Sequence, residues 1–416
     1  MSIKGNEFAS EHYNEAENKN RWWMLALMTT SLILAMSTWF SASAVIPQLR
    51  EAWKLSSTSV AWLTIAVQIG FVCGALISSL FNLSDLISPR HIILGGAIGA
   101  SMANVLLVVA NGVGVGIPLR FATGLFLAGV YPPSFKLIST WFRVGRGLAL
   151  GVLVAAIVLG NGMPHLVNGL GGLDWNLVLY ATSILTLLGG LITEFAIKQG
   201  PFTFPTAVFD PWQTARVFAN RGVRLATIGY IGHMWELFAF YAWFSIFFSD
   251  MLIGHGIPVG SASAYATFSI FVAGSLGCWL GGILADRWGR TNLTILMMTI
   301  SGSCAILIGL FFDASPWLVL LIGLVWGFTV VADSAQFSTI VTELADQSYV
   351  GTALTIQLSA GFTITVFTIW LIPILQNAFG WKWAFAFLAP GPIFGVLSML
   401  MLKSLPEVSR IAGGKG

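Results

Sequence analysis

Gly281-Gly282-Ile283-Leu284-Ala285-Asp286-Arg287-Trp288-Gly289-Arg290 is the stretch on which the fold turns. It closes a mostly apolar run that begins near Gly260, and within ten positions it passes from glycines and aliphatics to an acid and arginines. A run of roughly 20 apolar residues is long enough to cross the hydrocarbon core of a bilayer as a helix. Glycines near its end permit close helix packing, and the charged turn after it belongs in water. A reduced copy, Ser84-Asp85 and then Arg90, closes an earlier apolar run that starts near Ser59. That copy keeps the acid and an arginine but loses the glycine turn.

The two copies stand about two hundred residues apart, and other segments repeat at the same offset. Pro133–Phe142, PSFKLISTWF, precedes Gly147-Leu148-Ala149-Leu150, as Ala335–Leu344, AQFSTIVTEL, precedes Gly351-Thr352-Ala353-Leu354. Asp174-Trp175-Asn176 is echoed by Gly380-Trp381-Lys382-Trp383. Each match is weak alone, but chance must place all of them in order, which is the signature of a membrane protein built from two related halves.

Composition agrees. Of 416 residues, 56% are hydrophobic and 9% charged, against about 25% charged in a soluble domain. A surface so poor in charge faces lipid. A net charge of +3 with no basic stripe excludes nucleic acid as a partner. Cys73, Cys278 and Cys304 lie inside apolar runs without metal-ligand spacing, so no metal or other cofactor is expected. Twelve apolar runs start near Trp22, Ser59, Ile92, Gly116, Gly147, Leu177, Val223, Gly260, Leu293, Trp317, Gly351 and Trp383. The division expected is a tail over 1–21, a six-helix bundle over 22–197, a loop over 198–222 rich in proline and basic residues, a second bundle over 223–403 and a tail over 404–416. Both tails read as unstructured. Arg50, Lys54 and Lys382 fall on one side, and the remaining loop and terminal lysines and arginines on the other. Basic loops stay inside, so the termini and the central loop are expected in the cytoplasm.

These features resemble the major facilitator superfamily over nearly the whole chain. Gly281–Arg290 is similar to that family's cytoplasmic signature, and Leu119–Gly124, LRFATG, to its fourth-span motif. The resemblance implies two six-helix bundles related by a pseudo-two-fold axis and alternating access around a midplane site. It assigns gating to Asp286, Arg287, Gly289 and Arg290, with Asp85 and Arg90 as their first-half counterparts. Leu159–Leu166, LGNGMPHL, and Gly229–Trp243, GYIGHMWELFAFYAW, resemble a bacterial subgroup of unassigned substrate filed near nitrate and nitrite porters. Those porters hold their anion with an arginine in the second span and another in the eighth. Here the second span offers Gln68 and the eighth offers Tyr265 and serines, so nitrate is not expected.

Ionisable groups at bilayer depth are costly and are candidates for function. Arg120 either holds an anionic group in the cavity or is a structural cation on backbone carbonyls. His233 and Glu236 stand three apart on the seventh span, where residues share a face and can exchange a proton, or form a local pair. Asp333 is a second titrating group or a polar helix break. His165 and Asn161 flank Pro164, and line the path or serve its kink. Because the first, fourth and seventh spans line the cavity in that family, Trp39, Tyr131 and Trp235 join the candidates, with Gln68 and Gln357 as amides. No nucleotide-binding or catalytic constellation is present, so the chain is expected to be no enzyme.

The function expected is secondary transport of a small solute, an organic anion or zwitterion, driven by protons, by a monomer in a bacterial inner membrane. Export of hydrophobic compounds and a non-transporting sensor on the same fold are the alternatives.

Overall fold

Twelve helical spans follow one another in a computed structural model that describes residues 19–142, 145–171, 174–202, 218–346 and 350–416. The expected tail over 1–21 and the central loop lie mostly outside the described residues, as do Arg143 and the side chain of Asp85. The spans are α1 (Lys19–Ala35, continued by Met36–Thr38, Ser41–Ala44 and Ile46–Trp53), α2 (Ser57–Leu80), α3 (Pro89–Val109), α4 (Val113–Leu127 and Tyr131–Ser139), α5 (Arg146–Leu170) and α6 (Trp175–Ala196). The second set is α7 (Arg221–Gly254), α8 (Ala262–Trp288), α9 (Arg290–Leu310), α10 (Pro316–Ala332 and Ser334–Leu344), α11 (Val350–Phe379) and α12 (Trp381–Lys403). No strand occurs among the described residues.

Local chemistry sets the helix starts. Ser56, Asp174 and Asn220 accept from the backbone N–H of Ser59, Asn176 and Val223, which caps α2, α6 and α7. Pro89 and Pro316 occupy first turns, where a missing N–H costs nothing. Large apolar side chains such as Phe195, Trp317 and Phe394 remain exposed along the spans, as a lipid-facing surface requires.

Besides α12, which passes through a 3-10 turn at Phe385–Leu388, the spans α1, α4 and α10 are broken in mid-course, which oil tolerates only where protein groups satisfy the freed backbone. In α1 the regular helix stops at Ala35. Arg120 donates to the carbonyl oxygens of Thr38, at 2.9 Å, and Trp39, and Asn168 Nδ2 donates to Ala44 O at 2.8 Å. The breaks in α4 and α10 fall at corresponding places, around Gly129 and at Asp333.

Close helix contacts repeat as well. A Cβ on Gly70 would stand 2.0 Å from Phe121 O, and one on Gly74 would stand 2.4 Å from Leu125 O, which fixes α2 against α4. The same pair of contacts joins α8 to α10, with Gly277 at 2.1 Å from Phe328 O and Gly281 at 2.2 Å from Ala332 O. Gly277→Val is therefore expected to cost about 2 kcal/mol by overpacking, and Gly70→Val the same. Both would lower the thermal unfolding midpoint in detergent, whereas Gly95→Ala, with nothing within 4 Å of the added carbon, should leave it unmoved.

The spans group as two six-helix bundles, α1–α6 and α7–α12, that meet mainly along α2 against α11 and α5 against α8. Ser275 Oγ donates to Ala155 O at 2.9 Å near mid-span, and Ser261 Oγ to Gly169 O at 3.0 Å at the end remote from the termini.

The terminal stretch departs from the unstructured tail expected of it. Pro406–Gly414 forms short helical turns with Ile411 buried. Lys415 Nζ donates to Asp286 O at 2.8 Å, and Thr291 N to Gly416 O at 3.2 Å. Gly289 has φ +95°, and any Cβ there would lie 2.4 Å from Lys415 O, so the turn after α8 needs glycine for its conformation and for this approach.

Candidate functional site

The polar groups in the spans fall into three separate neighbourhoods. The first surrounds Arg120 inside the first bundle. Its Nε donates to Leu63 O at 3.2 Å, and its Nη1 donates to Thr38 O at 2.9 Å, Ser41 Oγ at 3.0 Å and Asn104 Oδ1 at 3.5 Å. Nη2 donates to Trp39 O. Asn104 in turn donates to Leu179 O, Thr182 Oγ1 and Ser183 Oγ. The guanidinium is fully buried and engaged by α1, α2 and α3.

The second neighbourhood lies inside the second bundle, where α7 faces α9 and α10. His233 Nδ1 stands 2.9 Å from Asp333 Oδ1, an ion-pair approach whose angle is not that of an aligned hydrogen bond. Glu236 Oε1 accepts from Trp326 Nε1, and Oε2 accepts from Ser301 Oγ at 3.2 Å. His233 and Glu236 thus share a side of α7, yet each has its own partner. The break at Asp333 carries that carboxyl into the contact with α7. Trp326 and Ser301 have no motif that marks them; the apolar surroundings of both hide their role.

The third neighbourhood is the seam between the bundles. Trp39 packs on Phe238 with ring centroids 5.8 Å apart, Phe40 on Phe271 at 5.7 Å and Phe71 on Phe362 at 4.8 Å. Tyr241 stacks on Phe271 at 4.2 Å, and the His165 ring lies over the same phenyl at 5.7 Å. Among these rings are buried polar atoms with no hydrogen-bond partner among the described residues: Trp39 Nε1, both His165 nitrogens, Asn161 Oδ1 and the Tyr241 hydroxyl. Gln68, one turn before Phe71, has both amide atoms unpartnered. Such atoms are uncommon in folded proteins and costly to keep. Tyr131 packs on Phe71 at 5.8 Å. Gln357 Oε1 accepts from Ser338 Oγ at 3.2 Å, while its Nε2 has no partner. Trp235 lies away from the seam, its Nε1 on Phe387 O at 3.1 Å and its ring beside Phe367.

At the end that carries the termini, Arg290 bridges Asp286 at 3.3 Å and Glu343 at 3.0 Å, and donates to Gln336 Oε1 at 2.9 Å. The sequence reading does not include Glu343 in this network. Arg287 is exposed. Arg90 donates weakly to Glu194 O and Ile197 O, both at 3.4 Å. A Cβ on Gly147 would lie 4.0 Å from Asp286 Oδ2, so the acid reaches the first turn of α5 across the seam.

No group of three His, Cys, Asp or Glu with metal-binding geometry occurs among the described residues. One cavity of about 470 Å³ lies along α2 and α11 and one of about 210 Å³ is lined by α1, α2, α7, α11 and α12, and neither is lined by Arg120, His165, His233, Glu236 or Asp333. Chemically, the arrangement offers a bonded cation in one bundle, acids with an imidazole in the other, and unspent donors and acceptors among aromatic rings between them.

Comparison with known proteins agrees with this architecture. The sequence model described as Major Facilitator Superfamily matches residues 27–362. A hexuronate transporter of Escherichia coli (strain K12) is 23% identical over 441 residues, covering 94% of this chain and 96% of that protein. An MFS-type transporter of Gibberella moniliformis (strain M3125 / FGSC 7600) is 27% identical over 259 residues, 59% of this chain, and the match spans only 58% of that protein's length. The crystal structure of a D-xylose-proton symporter superposes with a TM-score of 0.74 at 15% identity, covering 93% of this chain and 98% of that one, which speaks for the fold alone.

Proposed function

The chain belongs to the Major Facilitator Superfamily, and from that premise we propose that it moves a small organic anion or zwitterion across a membrane together with protons. The coarser statement, a multi-pass transporter and no enzyme, follows from membership. The bundles over 22–197 and 223–403 rock about the aromatic seam, joined by the loop over 198–222, with tails over 1–21 and 404–416 in the cytoplasm of a bacterial inner membrane. One chain contains both halves of the path and acts as a monomer.

One observation carries the reading. On α7, Glu236 stands two residues from Phe238, which packs on Trp39 and Phe40 of the other bundle. A single helix thus links proton-exchanging groups to the contact that must open for a solute to pass. His233 on the same helix and Asp333 of α10, 2.9 Å from it, serve as the second exchanging pair. The solute is held by Trp39, Gln68, Asn161, His165 and Tyr241, with Tyr131 and Gln357 at the margin. The donors among these suit a carboxylate whose charge is balanced by a proton. Arg120, with its donors engaged, shapes the first bundle. Asp286, Arg287, Gly289 and Arg290 gate the cytoplasmic end, opposite Asp85 and Arg90. The transport of a hexuronate by a relative of nearly equal length favours an anion.

The test is uptake of radiolabelled hexuronates, monocarboxylates and amino acids into proteoliposomes, with and without an inward proton gradient. Gradient-driven accumulation of one of them is expected. Indifference of every flux to the gradient would remove the proton, and gradient-driven extrusion of hydrophobic dyes would make the chain an exporter. His165→Phe keeps the stack on Phe271 and deletes two buried unpartnered nitrogens. It is expected to raise KM about tenfold at unchanged or higher thermal stability. Unaltered KM would take His165 out of the site.

A further inference from the structure

Two cavities follow one another in level along the seam between the bundles. One is an apolar groove of about 470 Å³, lined by Ile65, Ile69, Val72 and Cys73 of α2 and by Val366 and Trp370 of α11. Its rim stands open to the surrounding oil, with Trp62 38%, Phe367 42% and Trp370 40% exposed. From Trp62 to Cys73 it follows α2 for about 16 Å. The other cavity, of about 210 Å³, is polar and is lined by Arg50, Ser57, Asp250, Gln376 and Asn377, among others.

Ser57 and Trp62 are separated by about 7.5 Å of helix rise, and Trp370 and Pro373 by about 4.5 Å. The polar cavity therefore lies beyond the Trp62 and Trp370 end of the groove, toward the membrane face remote from the termini. The Arg50 side chain makes no hydrogen bond or ion pair among the described residues. Asp250 accepts from Trp381 Nε1 at 2.7 Å through Oδ2, which leaves Oδ1 for another donor. A free cation and a half-engaged acid thus line one small cavity above a channel of oil-like surface.

We infer that the two cavities form a binding site for one zwitterionic phospholipid of the ethanolamine type. Its phosphate meets Arg50, its ammonium meets Asp250, and one acyl chain lies in the groove between the bundles. The charge pair selects the headgroup: a lipid with only an anionic head leaves Asp250 facing a like charge, and free phosphate has no use for the groove. A chain seated there touches α2 of one bundle and α11 of the other, so occupancy depends on their spacing.

The test uses the purified full-length chain in detergent with a phosphatidylethanolamine carrying a photoreactive diazirine on one acyl chain. Cross-linked peptides are mapped by mass spectrometry. Label is expected on the segments containing Ile65–Cys73 and Thr363–Trp370, competed by unlabelled phosphatidylethanolamine and much less by phosphatidylglycerol or dodecyl phosphate. Arg50→Gln, at an exposed position, is expected to cut the labelling about tenfold. Ile69→Trp, which fills the groove, should cut it as strongly. Unfolding midpoints in detergent alone check that both variants fold. Label spread evenly over the lipid-facing spans overturns the site, equal competition by phosphatidylglycerol overturns the headgroup assignment, and labelling unchanged in Arg50→Gln overturns the role of the arginine.

Discussion

Glu236→Gln is expected to abolish proton-driven accumulation of the solute while leaving the protein folded. The carboxyl is 1% exposed, and its oxygens accept from Trp326 and Ser301. Glutamine has the same shape. Its carbonyl accepts from Trp326, and its amide can donate to the Ser301 hydroxyl, so the change should cost no more than about 1 kcal/mol. What it removes is the ability to take up and release a proton beside the seam. Coupling between two bound species is typically 1–3 kcal/mol, so gradient-driven accumulation should fall by roughly 5- to 150-fold. Exchange of labelled for unlabelled solute needs no net proton movement and should persist. The comparison is made on one reconstituted sample, by uptake with a gradient and by counterflow without one. Equal loss of both would mark Glu236 as a support of the packing around Trp326, and loss of neither would leave proton exchange to Asp333 and His233.

Arg120→Leu is expected to cost the most stability of any single change considered. The guanidinium serves Leu63 O, Thr38 O, Trp39 O, Ser41 Oγ and Asn104 Oδ1, and two of those carbonyls belong to the break in α1. With leucine, the Ser41 hydroxyl can still serve one of Thr38 O and Asn104 Oδ1, but the other acceptors lose a charged donor at a depth where water is absent. Each orphaned acceptor costs about 1–3 kcal/mol, so the total is on the order of 4 kcal/mol. Arg120→Lys should recover part of it, because three donors on one ammonium cannot span five acceptors held by three helices. Yield of monodisperse protein and the unfolding midpoint measure this. Uptake per folded molecule of Arg120→Lys should stay near wild type; a large rise in its KM at normal stability would move Arg120 from the scaffold to the solute site.

The twelve spans were legible because oil imposes a local rule: each segment satisfies its own backbone over about 20 residues, so length and hydropathy reveal it. The terminal helix was not. Pro406–Gly414 is short, and it and the two residues after it are held by contacts remote in sequence: Arg410 and Ala412 with Glu343, Lys415 with Asp286 and Gly416 with Thr291. The break in α1 escaped for a related reason. Met36–Val45 carries no proline or glycine, and the segment is held by Arg120 and Asn168 from other helices.

By itself, then, the sequence determined a polytopic helical chain in two related halves, its bias of basic loops, and the small set of polar side chains lodged in oil. Only the tertiary structure decided their partners: Asp333 with His233, Trp326 and Ser301 with Glu236, five acceptors around Arg120, and Trp39 against Phe238 across the seam. The physical reason is that lipid and protein interior are equally apolar, so hydropathy carries no sign of which face of a span turns inward. That rotation is set by close glycine contacts such as Gly70 on Phe121 and Gly277 on Phe328, and those depend on both helices at once.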